Sequence, residues 1–109
     1  MSEGNSGVII TGGANFEKDI SSGISLVDFW AEWCGPCKMM LPVLEQLTEK
    51  IGNKAKIMKL NVDENLELTQ NFRIMSIPCI IIFKNGKEVD RLVGVRDVQE
   101  LEDFINKIA

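Results

Sequence analysis

The stretch Val27–Leu44, VDFWAEWCGPCKMMLPVL, contains two cysteines, Cys34 and Cys37, where a strand-like apolar run gives way to a helical pattern. Such a pair fits half of a zinc site, a structural disulfide or a reactive dithiol. Structural zinc requires four Cys or His ligands, and the chain has three cysteines and no histidine, which disfavours zinc. A structural disulfide is also disfavoured, because secreted disulfide scaffolds of this size normally carry more cysteines.

The chain as a whole has the features of one ordinary globular domain. Its 109 residues are 45% apolar and 26% charged, and we expect a single domain over 1–109 with residues 1–7 as a flexible tail. The net charge of -4 is spread along the chain, so we expect neither nucleic acid nor membrane as a partner. The polar N-terminus lacks the apolar run of a signal peptide, so we expect a cytoplasmic protein.

Hydrophobic periodicity predicts alternating strands and helices. Ile24–Trp30 is almost continuously apolar, which indicates a strand covered on both faces. From Pro36 the apolar residues recur at helical spacing as far as Ile51, and Pro42 is expected to bend this helix without ending it. The other predicted strands cover residues 8–10, 55–63, 77–83 and 88–93, and the other helices cover the region around residues 16–20, then 65–72 and 98–108. The fold class is α/β, with a mixed sheet covered by helices on both sides and a hairpin turn at Asn85-Gly86.

The position of the cysteine pair favours the reactive dithiol. Cys34 falls at the predicted N-terminus of the long helix, where free N–H groups and the helix dipole stabilise a thiolate. Pro36 suits the first helical turn, and Gly35 allows another chain to approach closely. We therefore expect Cys34 to be the exposed nucleophile and Cys37, one turn inside, the thiol that resolves a mixed disulfide.

Two charged residues are candidates for supporting this chemistry. Asp28 interrupts the apolar strand and either reaches solvent or is buried; we favour burial, which would raise its pKa and make it a general base toward Cys37. Lys59 either pairs with Asp28 from a neighbouring strand or lies on the surface, and the sequence does not separate the two. Trp33 is a candidate recognition residue, whereas Trp30 is expected in the core.

Five motifs, WCGPCK, DFWAEWCGPC, KLNVDEN, IPCIIIFKNG and VG, occur in an order and at distances that resemble the thioredoxin family over roughly residues 8–108. The resemblance implies a five-stranded sheet in the order 1-3-2-4-5 with four helices. It also implies a general protein-disulfide reductase with no bound cofactor, recharged with NADPH electrons by a flavoprotein thioredoxin reductase. Its implied clients are ribonucleotide reductase, peroxiredoxin and methionine sulfoxide reductase types, reduced by a monomer in electron transport and cell redox homeostasis.

Individual roles follow from the same resemblance. It makes Cys34 the nucleophile, Cys37 the resolver, Asp28 the buried acid and Lys59 its neighbour. The substrate-binding residues that it implies are Trp33, Gly35, Pro36, Ile77, Pro78 and Gly94, with Pro78 at the position of the family's cis-proline. Two readings compete with the reductase: a redox-independent binding module or subunit, and a disulfide donor or isomerase.

Three positions depart from the usual family pattern. Cys79 replaces the common Thr after the proline, and Ser76 and Leu66 replace the commoner Gly and Pro. Free cysteines are often buried, so an inert core thiol is the first interpretation of Cys79. It is also a candidate regulatory thiol that pairs with Cys34 or takes a reversible cap. The third interpretation is a metal or iron-sulfur ligand shared between two chains.

Overall fold

A computed structural model describes residues 7–109, and nine regular elements alternate along them. The predicted tail, residues 1–7, lies outside this range except for Gly7. The strands are β1 (Ile9–Ile10), β2 (Ile24–Trp30), β3 (Lys56–Asn61), β4 (Cys79–Lys84) and β5 (Lys87–Val93). The helices are α1 (Phe16–Ile20), α2 (Gly35–Ile51), α3 (Leu66–Asn71) and α4 (Val98–Ile108).

The five strands form one mixed sheet in the order β1-β3-β2-β4-β5, which confirms the predicted topology. β3 runs parallel to both β1 and β2, whereas β4 is antiparallel to β2 and to β5. β2 lies at the centre, and all seven of its residues are buried, as its continuous apolar sequence predicted. The carboxyl end of this fully buried strand leads directly to the cysteine pair.

Two apolar clusters fill the space between the sheet and its helices. One, packed under α1 and α3, contains Phe16, Phe29 and Phe83 together with all three cysteines. The other packs α2 and α4 against the opposite face through residues such as Leu44 and Leu101. Because both faces of β2 contribute to a cluster, the strand is held from both sides.

Element boundaries differ from the sequence prediction where local chemistry interrupts a pattern. β4 begins at Cys79 and not at residue 77, because Pro78 has no N–H to give to the sheet. The Ile77–Pro78 bond is cis. β3 ends at Asn61 because Val62–Glu64 turns into a 3-10 helix. α2 continues through Pro42, as predicted.

No helix within residues 7–109 is long and apolar enough to cross a bilayer. The longest, α2, has seventeen residues and is amphipathic, with one face in the core.

The start of α4 provides a test of local stabilisation. The Asp97 side chain accepts a hydrogen bond from the Glu100 N–H at 2.8 Å, and Glu100 accepts one from the Asp97 N–H at 3.1 Å. Asp97→Ala removes this capping box, so we expect the free energy of unfolding to fall by about 1 kcal/mol. Asp97→Asn keeps an acceptor and should lose much less. Equal urea midpoints for the Ala variant and the unmodified protein would contradict this role.

Candidate redox site

Cys34 occupies the N-cap of α2. Its backbone is extended (φ -95°, ψ 106°), and its Sγ accepts a hydrogen bond from the Cys37 N–H at 3.2 Å. The Cys34 N–H donates to the carbonyl oxygen of Ala31 at 3.2 Å, which closes the turn between β2 and α2. A sulfur at this position faces the unpaired N–H groups and the positive end of the helix dipole. The structure thus places Cys34 at the start of the helix, as the sequence predicted.

Cys34 and Cys37 are joined by a disulfide within the first turn of α2. Cys37 is fully buried, whereas Cys34 is 6% exposed, so the predicted asymmetry is present but Cys34 is less accessible than we expected. Its Sγ lies 3.8 Å from the carbonyl oxygen of Ile77, which covers one side. Gly35 and Pro36 are exposed, and nothing lies within 4 Å of a Cβ built on Gly35. A partner chain can therefore approach the disulfide from this side.

Asp28 is fully buried in the centre of β2. Neither carboxylate oxygen has a hydrogen-bond partner in the part of the chain that the structure describes. Burial raises the pKa of Asp28 from 3.8 to about 7, because the charged form loses its hydration, while the positive charge of Lys59 partly opposes this effect. The carboxyl group can therefore gain or lose a proton near neutral pH.

Lys59 lies directly opposite Asp28 in the parallel β2–β3 pairing. Its Nζ does not bond to the carboxylate; it lies 5.3 Å from the ring centroid of Trp30. The half-buried lysine thus makes a cation–π contact and acts on Asp28 only through its charge. Asp28 and Lys59 therefore lie side by side on neighbouring strands, but they form no direct ion pair.

The segment before β4 lies against the cysteine pair. Pro78 is buried and Ile77 is half-buried. The carbonyl oxygen of Pro78 accepts a hydrogen bond from the Gly94 N–H at 2.9 Å, where Gly94 adopts a left-handed φ of 99°. Three segments distant in the sequence, around Cys34, Ile77 and Gly94, are thereby held close together.

Trp33 is 70% exposed beside the disulfide, whereas Trp30 is buried. The Trp33 Nε1–H donates to Oδ2 of Asp63 at 2.8 Å. We did not predict this role for Asp63; its only signal in the sequence is its place in KLNVDEN, in the turn that follows β3. Asp63 fixes the orientation of an exposed aromatic ring that would otherwise rotate freely.

Cys79 is a free thiol, 2% exposed, at the start of β4. Burial raises the pKa of this thiol, an effect that the neighbouring Arg91 guanidinium opposes. The sequence analysis did not predict that Arg91 would lie next to Cys79. Among residues 7–109, no group of three or more Cys, Asp or Glu side chains is arranged to hold a metal ion.

Comparison with known proteins gives one consistent result. The thioredoxin family model matches residues 7–107. A thioredoxin from Staphylococcus saprophyticus is 51% identical over 94 residues, which are 86% of this chain and 90% of that relative. A thioredoxin from Listeria monocytogenes is 49% identical over 94 residues, covering 86% of this chain and 91% of that protein. The solved structure of a mutant thioredoxin from Halobacterium salinarum is 31% identical, with a TM-score of 0.85 and coverage of 98% and 95% of the two chains.

The predicted resemblance is thus confirmed by sequence and by fold, and thioredoxins work without a prosthetic group. Relatives of this kind are reduced by thioredoxin reductase and act on disulfide-containing clients. With its Cys34–Cys37 pair at the start of a central helix, the chain belongs to the thioredoxin family and is a thiol-disulfide oxidoreductase that reduces protein disulfides.

Proposed function

We propose that Cys34 is the nucleophile and Cys37 the resolving thiol of this reductase. The observation that supports this assignment best is the helix cap, where the Sγ of Cys34 accepts the Cys37 N–H and Cys37 itself is fully buried. A Cys34 thiolate attacks one sulfur of a client disulfide, and the other client sulfur leaves as a thiolate. Cys37 then attacks the Sγ of Cys34, which releases the second client thiol and leaves Cys34 and Cys37 as a disulfide. Two electrons pass to the client in each cycle.

Asp28 is the proposed proton acceptor for Cys37. With its pKa raised to about 7, the buried carboxylate can take the Cys37 proton at the resolving step and return it when the disulfide is reduced again. Lys59 assists by placing positive charge near Asp28, so that the carboxylate form remains accessible.

The client is proposed to dock around the exposed edge of the cysteine pair. Trp33 offers an oriented aromatic surface, and the carbonyl oxygen of Ile77 next to Cys34 offers a backbone contact. The docking residues in this proposal are the six that the family resemblance implies, Trp33, Gly35, Pro36, Ile77, Pro78 and Gly94.

The electrons are proposed to come from NADPH through a flavoprotein thioredoxin reductase, so that the protein serves electron transport and cell redox homeostasis. A monomer in the cytoplasm, where thiols are kept reduced, suits this cycle. Clients of the ribonucleotide reductase, peroxiredoxin and methionine sulfoxide reductase types are the proposed acceptors. The binding-module and the donor or isomerase alternatives are not favoured, since the relatives are thioredoxins and both cysteines of the redox pair are present and bonded to each other.

Cys79 is proposed to be an inert core thiol. Its burial and raised pKa keep it protonated, and a protonated buried thiol reacts slowly. The regulatory role of Cys79 remains a prediction that needs an oxidant able to reach the core.

The cysteine assignment can be tested with NADPH, a bacterial thioredoxin reductase and insulin as the protein disulfide. The unmodified protein should sustain NADPH oxidation, and Cys34→Ser should abolish it. Cys37→Ser should instead accumulate a mixed disulfide through Cys34, because the resolving thiol is missing. If Cys34→Ser remained active, or if it trapped a mixed disulfide through Cys37, the assignment would be reversed. Cys79→Ser serves as the control and should remain active.

The titration of Asp28 should appear in the stability of the protein. Because the folded state keeps the Asp28 proton up to about pH 7 and the unfolded state releases it near 3.8, unfolding becomes easier as pH rises between these values. The free energy of unfolding should lose about 4 kcal/mol from this group across that window and nothing further above it. Asp28→Asn should lack this decline and be the more stable protein above pH 7.

Urea unfolding of both proteins from about pH 4 to about pH 8 measures this difference. Asp103→Asn, an exposed carboxylate on α4, is the matched control and should follow the unmodified protein. Parallel curves for Asp28→Asn and the unmodified protein would show that Asp28 does not titrate in this range.

Thiol titration of the reduced protein separates the readings of Cys79. We expect no more than two fast-reacting thiols in the folded state and all three in denaturant, because Cys79 is buried. Three fast thiols in the folded protein would contradict the core assignment. Cys79→Ser should leave the number of fast thiols unchanged and lower the number found in denaturant from three to two.

A further inference from the structure

β5 contains an irregularity in its pairing with β4 that brings two charged side chains to one face. On a regular strand, residues three apart point to opposite faces. Here the register shifts between Ile82 and Phe83, so that Arg91 pairs with Ile81 and Glu88 pairs with Phe83. Ile81 and Phe83 lie in the same apolar cluster, and their partners therefore share that face.

On this shared face, Glu88 and Arg91 form a bidentate ion pair. The Arg91 Nε donates to Oε2 of Glu88 at 2.6 Å, and Nη2 donates to Oε1 at 2.8 Å. Both side chains are about one-third exposed, so the pair contributes little to stability by itself. Its effect is geometric, because a guanidinium held at two points has a fixed orientation.

The fixed guanidinium directs its remaining amino group, Nη1, at the backbone of another element. Nη1 donates to the carbonyl oxygen of Phe72 at 3.0 Å. Phe72 is the C-cap residue that follows α3, and its ring centroid lies within 6.0 Å of the ring centroids of Phe16, Phe29 and Phe83. Arg91 thus joins β5 to the point where the chain leaves α3.

The segment that follows, residues 73–78, carries Ile77 and Pro78 to the redox site. It leaves Phe72 through a left-handed residue, Arg73 (φ 55°), and Met75 within it is 91% exposed. At its far end Pro78 accepts the Gly94 N–H. Arg91 and Gly94 therefore attach the two ends of this segment to β5 and the residue that follows it.

We propose that the Glu88–Arg91 pair positions residues 73–78 for client docking, with Arg91 as a positioning residue for the reductase reaction. The proposal rests on the proposed docking role of Ile77. Arg91 touches neither sulfur of the Cys34–Cys37 disulfide by any hydrogen bond or ion pair within residues 7–109. Loss of the pair should weaken the docking of protein clients and leave the reactivity of the dithiol toward small disulfides unchanged.

The test compares KM and kcat of Arg91→Met for insulin, with NADPH and thioredoxin reductase in excess. We expect KM for insulin to rise about three- to tenfold, while kcat and the rate with hydroxyethyl disulfide stay within about twofold, because the segment loses its charged hydrogen bond at Phe72 together with the Glu88 pair that orients it. Arg91→Lys keeps the charge without the fork geometry and should resemble Arg91→Met. Lys87→Met removes an exposed cation from the same strand and is the matched control, expected to leave KM unchanged.

Several outcomes overturn the proposal. A merely structural role would lower the active fraction and reduce kcat for both substrates without raising KM. Unchanged KM in Arg91→Lys and Glu88→Gln also overturns it, and these two variants carry the test if Arg91→Met does not fold. Ile77→Glu, which puts a charged side chain beside the carbonyl oxygen proposed to contact clients, tests docking separately. If it raises KM and the Arg91 variants do not, the docking role stands and the positioning role is wrong. If neither raises KM, the docking role of Ile77 is wrong as well.

Discussion

The hydrogen bond from the Cys37 N–H to the Sγ of Cys34 is the interaction on which the redox site depends. It exists because β2 ends at Trp30, Ala31 closes a turn onto Cys34, and α2 begins one residue later. A capping side chain must lie where the free N–H groups of the first turn converge, which is where a thiolate is stabilised. The same position thus begins the helix and holds a sulfur against its free N–H groups.

The sheet keeps this cap in place, and the residues around the cap differ in their exposure to solvent. β2 is buried along its whole length, so the Cys34 turn cannot shift without disturbing both apolar clusters. Burial keeps Cys37 and Asp28 away from solvent and leaves a small part of Cys34 accessible. The segment before β4, held from both ends by β5 and Gly94, completes the rim around that sulfur. The site is therefore assembled from non-local contacts on a rigid central strand.

The sequence predicted the order of elements, the sheet topology through the family resemblance, and the place of the cysteine pair, because these follow from periodicity and local motifs. It did not predict where Lys59 points, since that depends on whether Trp30 or Asp28 offers the better neighbour across the β2–β3 pairing. The bond between Trp33 and Asp63 depends on the 3-10 turn after β3, which ended that strand early.

The Glu88–Arg91 pair shows the same limit of sequence reasoning. Strand periodicity places the two residues on opposite faces, and only the irregular register of β4 and β5 brings them together. The accessibility of Cys34 was overestimated for a related reason, because the carbonyl oxygen of Ile77 that covers it comes from a distant segment.

The central claim is that the helix cap makes Cys34, and not Cys37, the reactive thiol. Alkylation of the fully reduced protein with limiting iodoacetamide at neutral pH, followed by mass-spectrometric mapping, measures this directly. We expect the label on Cys34 while Cys37 and Cys79 remain unmodified. Equal labelling of Cys34 and Cys37, or preferential labelling of Cys37, would contradict the claim.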